Sequence, residues 1–162
     1  MSLRTEYEIR EATSQDISGM MALESAAGTA AHWREEDYRR IFELGGVPRV
    51  ALVMKEARGL AGFIVANAVC EEWEIENVVV AEECTRRGIG TRLVRELVSA
   101  AHKAGATAVL LEVRESNVAA RSLYEKCGFA EAGRRTGYYS GPEEHGLLYR
   151  CECTENDAPD GD

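Results

Sequence analysis

Positive charge is scarce in this chain: 19 lysines and arginines face 28 aspartates and glutamates, for a formal charge of −9. Phosphate backbones are held by basic footprints, so nucleic acid is not expected as a partner. Four of the acids, Glu155, Asp157, Asp160 and Asp162, lie in a base-free tail from Thr154 to Asp162. That tail, residues 154–162, is expected to be disordered, and setting it aside leaves the body near −5. The remaining field favours a cationic partner, though weakly. Cysteine offers no staple. The five thiols (Cys70, Cys84, Cys127, Cys151 and Cys153) are odd in number and form no CxxC or Cys/His ligand spacing. Neither a disulfide framework nor a metal site is signalled, and reduced thiols suit a cytoplasmic protein. Long apolar runs are missing too. Leu60 to Cys70 is too short to span a bilayer, and Met1 to Arg10 lacks the apolar core of a signal peptide, so no membrane association is expected.

The 162 residues (17.8 kDa) are 45% hydrophobic and 29% charged, without internal repeats or a dividing linker. A single domain over residues 1–153 is expected, large enough to bury a core without metal or disulfide. Tyr7 to Arg10 reads as a strand. Asp16 offers an N-cap for a helix through Ser25, and a second helix is predicted over Glu35 to Leu44, stopped by Gly45-Gly46. Val50 to Lys55 and Gly62 to Val69 read as a strand pair turning at Glu56 to Gly59. Trp73 to Val80 is the next strand, and its Val78-Val79-Val80 end suggests burial on both faces. The longest helix starts at Ile89, with Leu93, Val94, Leu97, Val98 and Ala101 on one side and Gly105 where a C′ glycine belongs. Ala108 to Val113 is a strand, Asn117 caps a helix from Val118 to Cys127, and two closing strands run over Phe129 to Gly137 and Leu147 to Cys153. The order is βααβββαβαββ: an α/β (α+β) chain whose middle strand–helix–strand unit places one parallel pair inside a mostly antiparallel sheet.

The segment Thr85-Arg86-Arg87-Gly88-Ile89-Gly90-Thr91 joins the valine strand to the longest helix. Helix-start N–H groups lack internal partners and favour an anion, and Arg86 and Arg87 add charge beside them. A pyrophosphate is the natural guest. The dinucleotide pattern GxGxxG fails at Leu93, and no GxxxxGK[ST] loop is present. A glycine-rich turn with solvated arginines stays open as the plain alternative.

Taken with its neighbours, RRGIGTRLV followed by LEVRESNVAARSLYEKCGF resembles the Gcn5-related N-acetyltransferase (GNAT) superfamily over roughly residues 5 to 150. Leu111 to Arg114, Ser116-Asn117, Ala119-Ala120, Leu123-Tyr124, Gly128-Phe129, Tyr138-Tyr139 and Pro142 are most similar to the RimI type, the ribosomal-protein alanine N-acetyltransferases. That resemblance implies a splayed parallel strand pair with acetyl-CoA in the gap as cosubstrate, and no metal. Its pantetheine arm would run along Val78, Val79 and Val80, its pyrophosphate on Arg86, Arg87, Gly88, Ile89, Gly90 and Thr91, with Asn117 near the next helix start. Thr85 departs from the usual Gln or Arg of the family. The same likeness implies Glu112 as general base, Tyr124 as the acid that protonates the leaving thiolate, and an acceptor site shaped by Trp33, Tyr138 and Tyr139. The implied activity is direct acetyl transfer to a protein N-terminal α-amine, the N-terminal Ala of a ribosomal protein, by a monomer or weak dimer. Ala31-His32 before Trp33, and Glu144-His145-Gly146 after Pro142, depart from the type on the peptide side.

Several readings stay beside these. Glu112 and Arg114 share a strand face with Leu110, opposite Val109, Leu111 and Val113, and that face alone is compatible with a structural ion pair. Tyr124 alone is compatible with core packing. Glu72, Glu74 and Glu76, the last two placed on one face opposite Trp73, Ile75 and Asn77, form either an exposed acidic stripe or a rival base of the kind used on lysine. A small-molecule amine or lysine acceptor, or an acetyl-CoA-binding module without turnover, would keep the same fold. Cys84 and Cys127 lack a readable His partner for nucleophilic catalysis.

Overall fold

The computed structural model describes residues 6–27, 33–85, 87–139 and 144–153. The elements run β1 (Glu8–Glu11), α1 (Ile17–Ala26), α2 (Glu35–Arg40), β2 (Arg49–Glu56), β3 (Gly59–Asn67), β4 (Glu72–Val80), α3 (Ile89–Lys103), β5 (Ala108–Arg114), α4 (Val118–Lys126), β6 (Ala130–Tyr139) and β7 (Glu144–Glu152). This is the predicted order. The seven strands form one mixed sheet, β1-β2-β3-β4-β5-β7-β6, antiparallel except for the β4–β5 pair. Residues 154–162 lie outside the described residues.

Two local expectations are corrected. The second helix ends at Arg40 rather than Leu44. Past that point Ile41, Phe42 and Glu43 donate their N–H groups three residues back, to Tyr38, Arg39 and Arg40, so the chain tightens into turns before the glycines. Asp16 makes no side-chain cap to α1. Its carboxylate instead accepts from the two terminal guanidinium nitrogens of Arg10 at 2.8 Å and from the Thr13 N–H at 2.8 Å. The α3 end follows expectation: Ala106 N–H reaches Ala101 C=O and Gly105 N–H reaches His102 C=O, with Gly105 at φ 88°, a Schellman stop.

The sheet carries a core on each face. On one, the buried stripe of α3 (Ile89, Leu93, Val94, Leu97, Val98 and Ala101) packs with Trp73, Ile75, Val109, Leu111 and Val113. On the other, Met20 of α1 and Tyr38 of α2 pack with Phe63, Val65 and Val79. β4 changes sides partway. Val65 pairs with Asn77 but Ala66 pairs with Ile75, which leaves Glu76 as an extra residue in a β-bulge. One extra residue reverses the alternation. Trp73 and Ile75 therefore face α3, yet beyond the bulge Val78 and Val80 face α3 while Asn77 and Val79 face α1 and α2. The expected placement of Asn77 beside Trp73 and Ile75 fails for that reason.

Candidate active site

The parallel ladder between β4 and β5 is short. It joins Glu72, Trp73 and Glu74 to Ala108, Val109 and Leu110, and stops there. Beyond Glu74 the β5-facing edge of β4 has no ladder partner among the described residues, and the strands part. A cleft of about 1300 Å³ opens in the gap, lined by Glu74 to Val80, Gly88 to Thr91, Leu111 to Arg114, Asn117 and Tyr124.

One end of the cleft is the start of α3. Gly88 occupies the N-cap position at φ 76°, where other residues are strained, and no described side chain caps the helix. The first helical bond is Arg92 N–H to Gly88 C=O at 3.0 Å, so the N–H groups of Ile89, Gly90 and Thr91 lie ahead of it. Gly90 also lets α3 meet α4, since a Cβ there would lie 2.7 Å from Leu123 Cδ1. Thr85 lines the cleft but spends its hydroxyl on Glu82 C=O at 2.8 Å. The Arg87 guanidinium donates to the Tyr7 hydroxyl at 3.0 Å and does not line the cleft. Arg86 lies outside the described residues.

The other determinant is which side chains the two sheet faces contribute. Glu112 alternates with the α3-facing Leu111 and Val113, so it belongs to the α1/α2 face. Its Oε1 lies 2.9 Å from Arg135 Nε, an ion pair in which the glutamate side chain is 18% and the arginine 53% exposed. Beyond that charge contact, this buried oxygen accepts no hydrogen bond from any described residue. Tyr124 belongs to the opposite face, half-buried against Phe129 (5.9 Å between ring centroids) and Tyr149 (6.5 Å). Burial, with Cys127 adding to it, pushes its phenol up to about 12. Glu112 and Tyr124 thus reach one cleft from opposite sides of the sheet, through the gap between β4 and β5.

The acidic residues of β4 are divided between ion pairs and the cleft. Glu72 pairs with Arg150 at 2.8 Å and lies off the cleft, while Glu76 pairs with Arg49 at 3.0 Å inside it. Glu74 stands exposed at the cleft with its carboxyl raised, first by partial desolvation and then by Glu76 and Glu112, with Arg135 opposing. Burial raises the thiols of both Cys84 and Cys127, the reverse of an activated nucleophile. Asn117 caps α4, its Oδ1 accepting the Ala120 N–H at 3.1 Å.

Trp33 lines the cleft and meets Tyr38 edge-on at 5.4 Å. Both are tied to a side chain that sequence reasoning missed. Glu24 of α1 is only 7% exposed; it accepts the Trp33 N–H at 2.8 Å and the Tyr38 hydroxyl in a second, short hydrogen bond. A glutamate in a helix normally reads as surface, so nothing local marked it. Asn77 was passed over as well, although a polar residue just ahead of a buried valine run was a usable signal. Residues 28–32 and 140–143 lie outside the described residues, and of Tyr138 and Tyr139 only the β6 backbone is described.

A mixed sheet whose parallel pair splays beside a helix start is the arrangement expected of a GNAT fold. The chain belongs to the acetyltransferase (GNAT) family, whose model matches residues 17–129. The [ribosomal protein bS18]-alanine N-acetyltransferase of Salmonella typhimurium is 37% identical over 86 residues, 53% of this chain and 58% of its own length. The protein of that name from Haemophilus influenzae is 34% identical over 103 residues, 62% of this chain and 70% of its own. The chain thus spans little more than half the length of the enterobacterial relatives, 58% for Salmonella and 54% for Escherichia coli. The crystal structure of the ribosomal-protein-S18-alanine N-acetyltransferase from Escherichia coli superposes with a TM-score of 0.81 at 25% identity, covering 92% of this chain and 95% of that one. Among the described residues, no helix is long and apolar enough to cross a membrane.

Proposed function

We propose that this protein is an acetyl-CoA-dependent N-acetyltransferase acting on a protein N-terminal α-amine, with the alanine terminus of a ribosomal protein as its acceptor. One observation carries the reading: the Glu112 carboxylate, held among the described residues by an ion pair alone, and the protonated Tyr124 phenol flank the same strand gap from opposite faces. The residues present fit coenzyme A. The unpartnered β4 edge at Val78, Val79 and Val80 suits an extended amide-bearing arm, and the N–H groups from Gly88 through Thr91 suit a pyrophosphate. Arg86 would add charge there, whereas Arg87 is engaged by the Tyr7 hydroxyl off the cleft, and Asn117 would border the cofactor. Bound there, acetyl-CoA supplies the acetyl group as a thioester.

Glu112 takes the proton of the attacking amine, and a β4 backbone N–H near Val79 polarises the acetyl carbonyl. Tyr124 delivers a proton to the departing sulfur from the other face. Holding amine and thioester in one gap supplies much of the acceleration. An α-amine suits this site, because with a pKa of about 7.8 roughly a tenth is neutral at pH 7, against under about a thousandth for lysine. Trp33, Tyr138 and Tyr139 shape the acceptor side. Relatives named for the alanine terminus of ribosomal protein bS18 support the acceptor. The protein would work in the cytoplasm as one domain over residues 1–153.

A second reading, transfer to lysine or a small amine, draws on Glu74, whose raised carboxyl shares the cleft with Glu112. Mass spectrometry of an acceptor panel separates the two. Acetylation of Ala-starting peptides at the α-nitrogen is expected; acetylation of lysine or polyamines alone would overturn the proposal. Coenzyme A retention with no transfer to any acceptor would leave a binding module.

A further inference from the structure

We infer that Asn77 is a specificity-determining residue that grips the backbone carbonyl next to the acceptor amine, an assignment that rests on the α-amine reading above. Asn77 follows the Glu76 bulge on β4 and lines the cleft on the α1/α2 face, the same face as Glu112. It is 5% exposed, and among the described residues its Nδ2 has only a poorly aligned contact with the Tyr38 hydroxyl. A buried amide without a partner is costly, and native proteins keep few of them.

The neighbours set its direction. The Tyr38 hydroxyl spends its proton on Glu24, so toward Asn77 it offers only lone pairs. That turns the amide nitrogen, rather than the oxygen, toward Tyr38. Nδ2 carries two N–H groups and Tyr38 accepts one at most, even in a poorly aligned contact. At least one N–H is left for a guest in the cleft.

The chemistry of that guest follows. A peptide α-amine carries a carbonyl oxygen on the carbon beside its own Cα, whereas a lysine or polyamine nitrogen is followed only by methylenes. A donor fixed on the Glu112 face rewards the first and gives the second nothing. Leaving that donor unpaired is a discrimination of the kind that separates hydrogen-bonding substrates from analogues lacking the group.

The test is a double-mutant cycle between protein and substrate. Wild type and Asn77→Leu are compared on an Ala-starting peptide and on the same peptide with its first carbonyl replaced by a thioamide, a poorer acceptor. In wild type the thioamide should lower kcat/KM roughly tenfold to a hundredfold, the scale of one buried hydrogen bond left unmade. In Asn77→Leu the oxo peptide should lose a similar factor and the thioamide should cost nothing further. Asn77→Ala, measured alongside with coenzyme A affinity and melting temperature, covers misfolding of the leucine variant. Equal, additive losses would overturn the assignment while leaving α-amine acetylation standing. A Tyr38→Phe variant that alone abolishes the thioamide effect would overturn it too, by moving the contact to Tyr38. Failure of wild type to acetylate any α-amine would remove both.

Discussion

Replacing Glu112 by glutamine keeps the side chain's shape and removes its charge and its ability to take a proton. The consequences for stability and for rate separate cleanly. The ion pair with Arg135 is lost, but the arginine is 53% exposed and the interaction is screened, so stability should change by less than about 1 kcal/mol. The loss of a general base typically costs about 10²–10⁴-fold in kcat. At about 1.36 kcal/mol per decade, that is roughly 3–5.5 kcal/mol of barrier. Coenzyme A affinity should hold at its wild-type value, because Glu112 occupies the sheet face away from α3 and α4. Thiol release under saturating acceptor gives kcat, calorimetry gives affinity, and a melt gives stability. Wild-type turnover in Glu112→Gln would refute the reasoning. A dead Glu74→Gln beside it would move the base to β4.

Tyr124→Phe should slow turnover with near-normal folding. Burial raises this phenol to about 12, so its stabilising effect is complete below the unfolded value near 10 and is lost as pH rises through about 12. An alkaline limb in kcat between about pH 8 and 10 that vanishes in the phenylalanine variant would contradict that shift. Gly62→Ala should destabilise by about 1–3 kcal/mol in denaturant melts, because the new Cβ would sit 2.8 Å from the Val79 carbonyl oxygen, which belongs to the backbone and cannot turn aside; an unchanged midpoint would refute this. Glu24→Ala strips the acceptor from the Trp33 N–H and the Tyr38 hydroxyl, at about 1–3 kcal/mol for each donor left unpaired. A melt within about 0.5 kcal/mol of wild type would show that water or a neighbour replaces it.

Element order and the helix seams were legible because they rest on local signals: the i, i+4 spacing from Ile89 to Ala101, the Asn117 cap, and Gly105 at a C′ position. The parallel pair followed from the strand–helix–strand unit. What determines the site was less legible. The Glu76 bulge carries no composition signal, since it arises from how β3 and β4 register, and a strict alternation therefore put Asn77 on the wrong face. Asp16 had a cap's identity but Arg10 took its carboxylate, a competition only the folded strand creates. The short β4–β5 ladder is likewise a property of the assembled sheet. Glu112 and Tyr124 were named through family resemblance, and periodicity alone left each with a structural explanation.

The central claim is that the β4–β5 gap seats acetyl-CoA. A crystal structure of the full chain with coenzyme A tests it most directly. The account predicts the pantetheine arm beside Val78 to Val80 and the pyrophosphate against the N–H groups of Gly88 to Thr91. Coenzyme A bound elsewhere on the protein, or saturating coenzyme A leaving that gap empty, would contradict it.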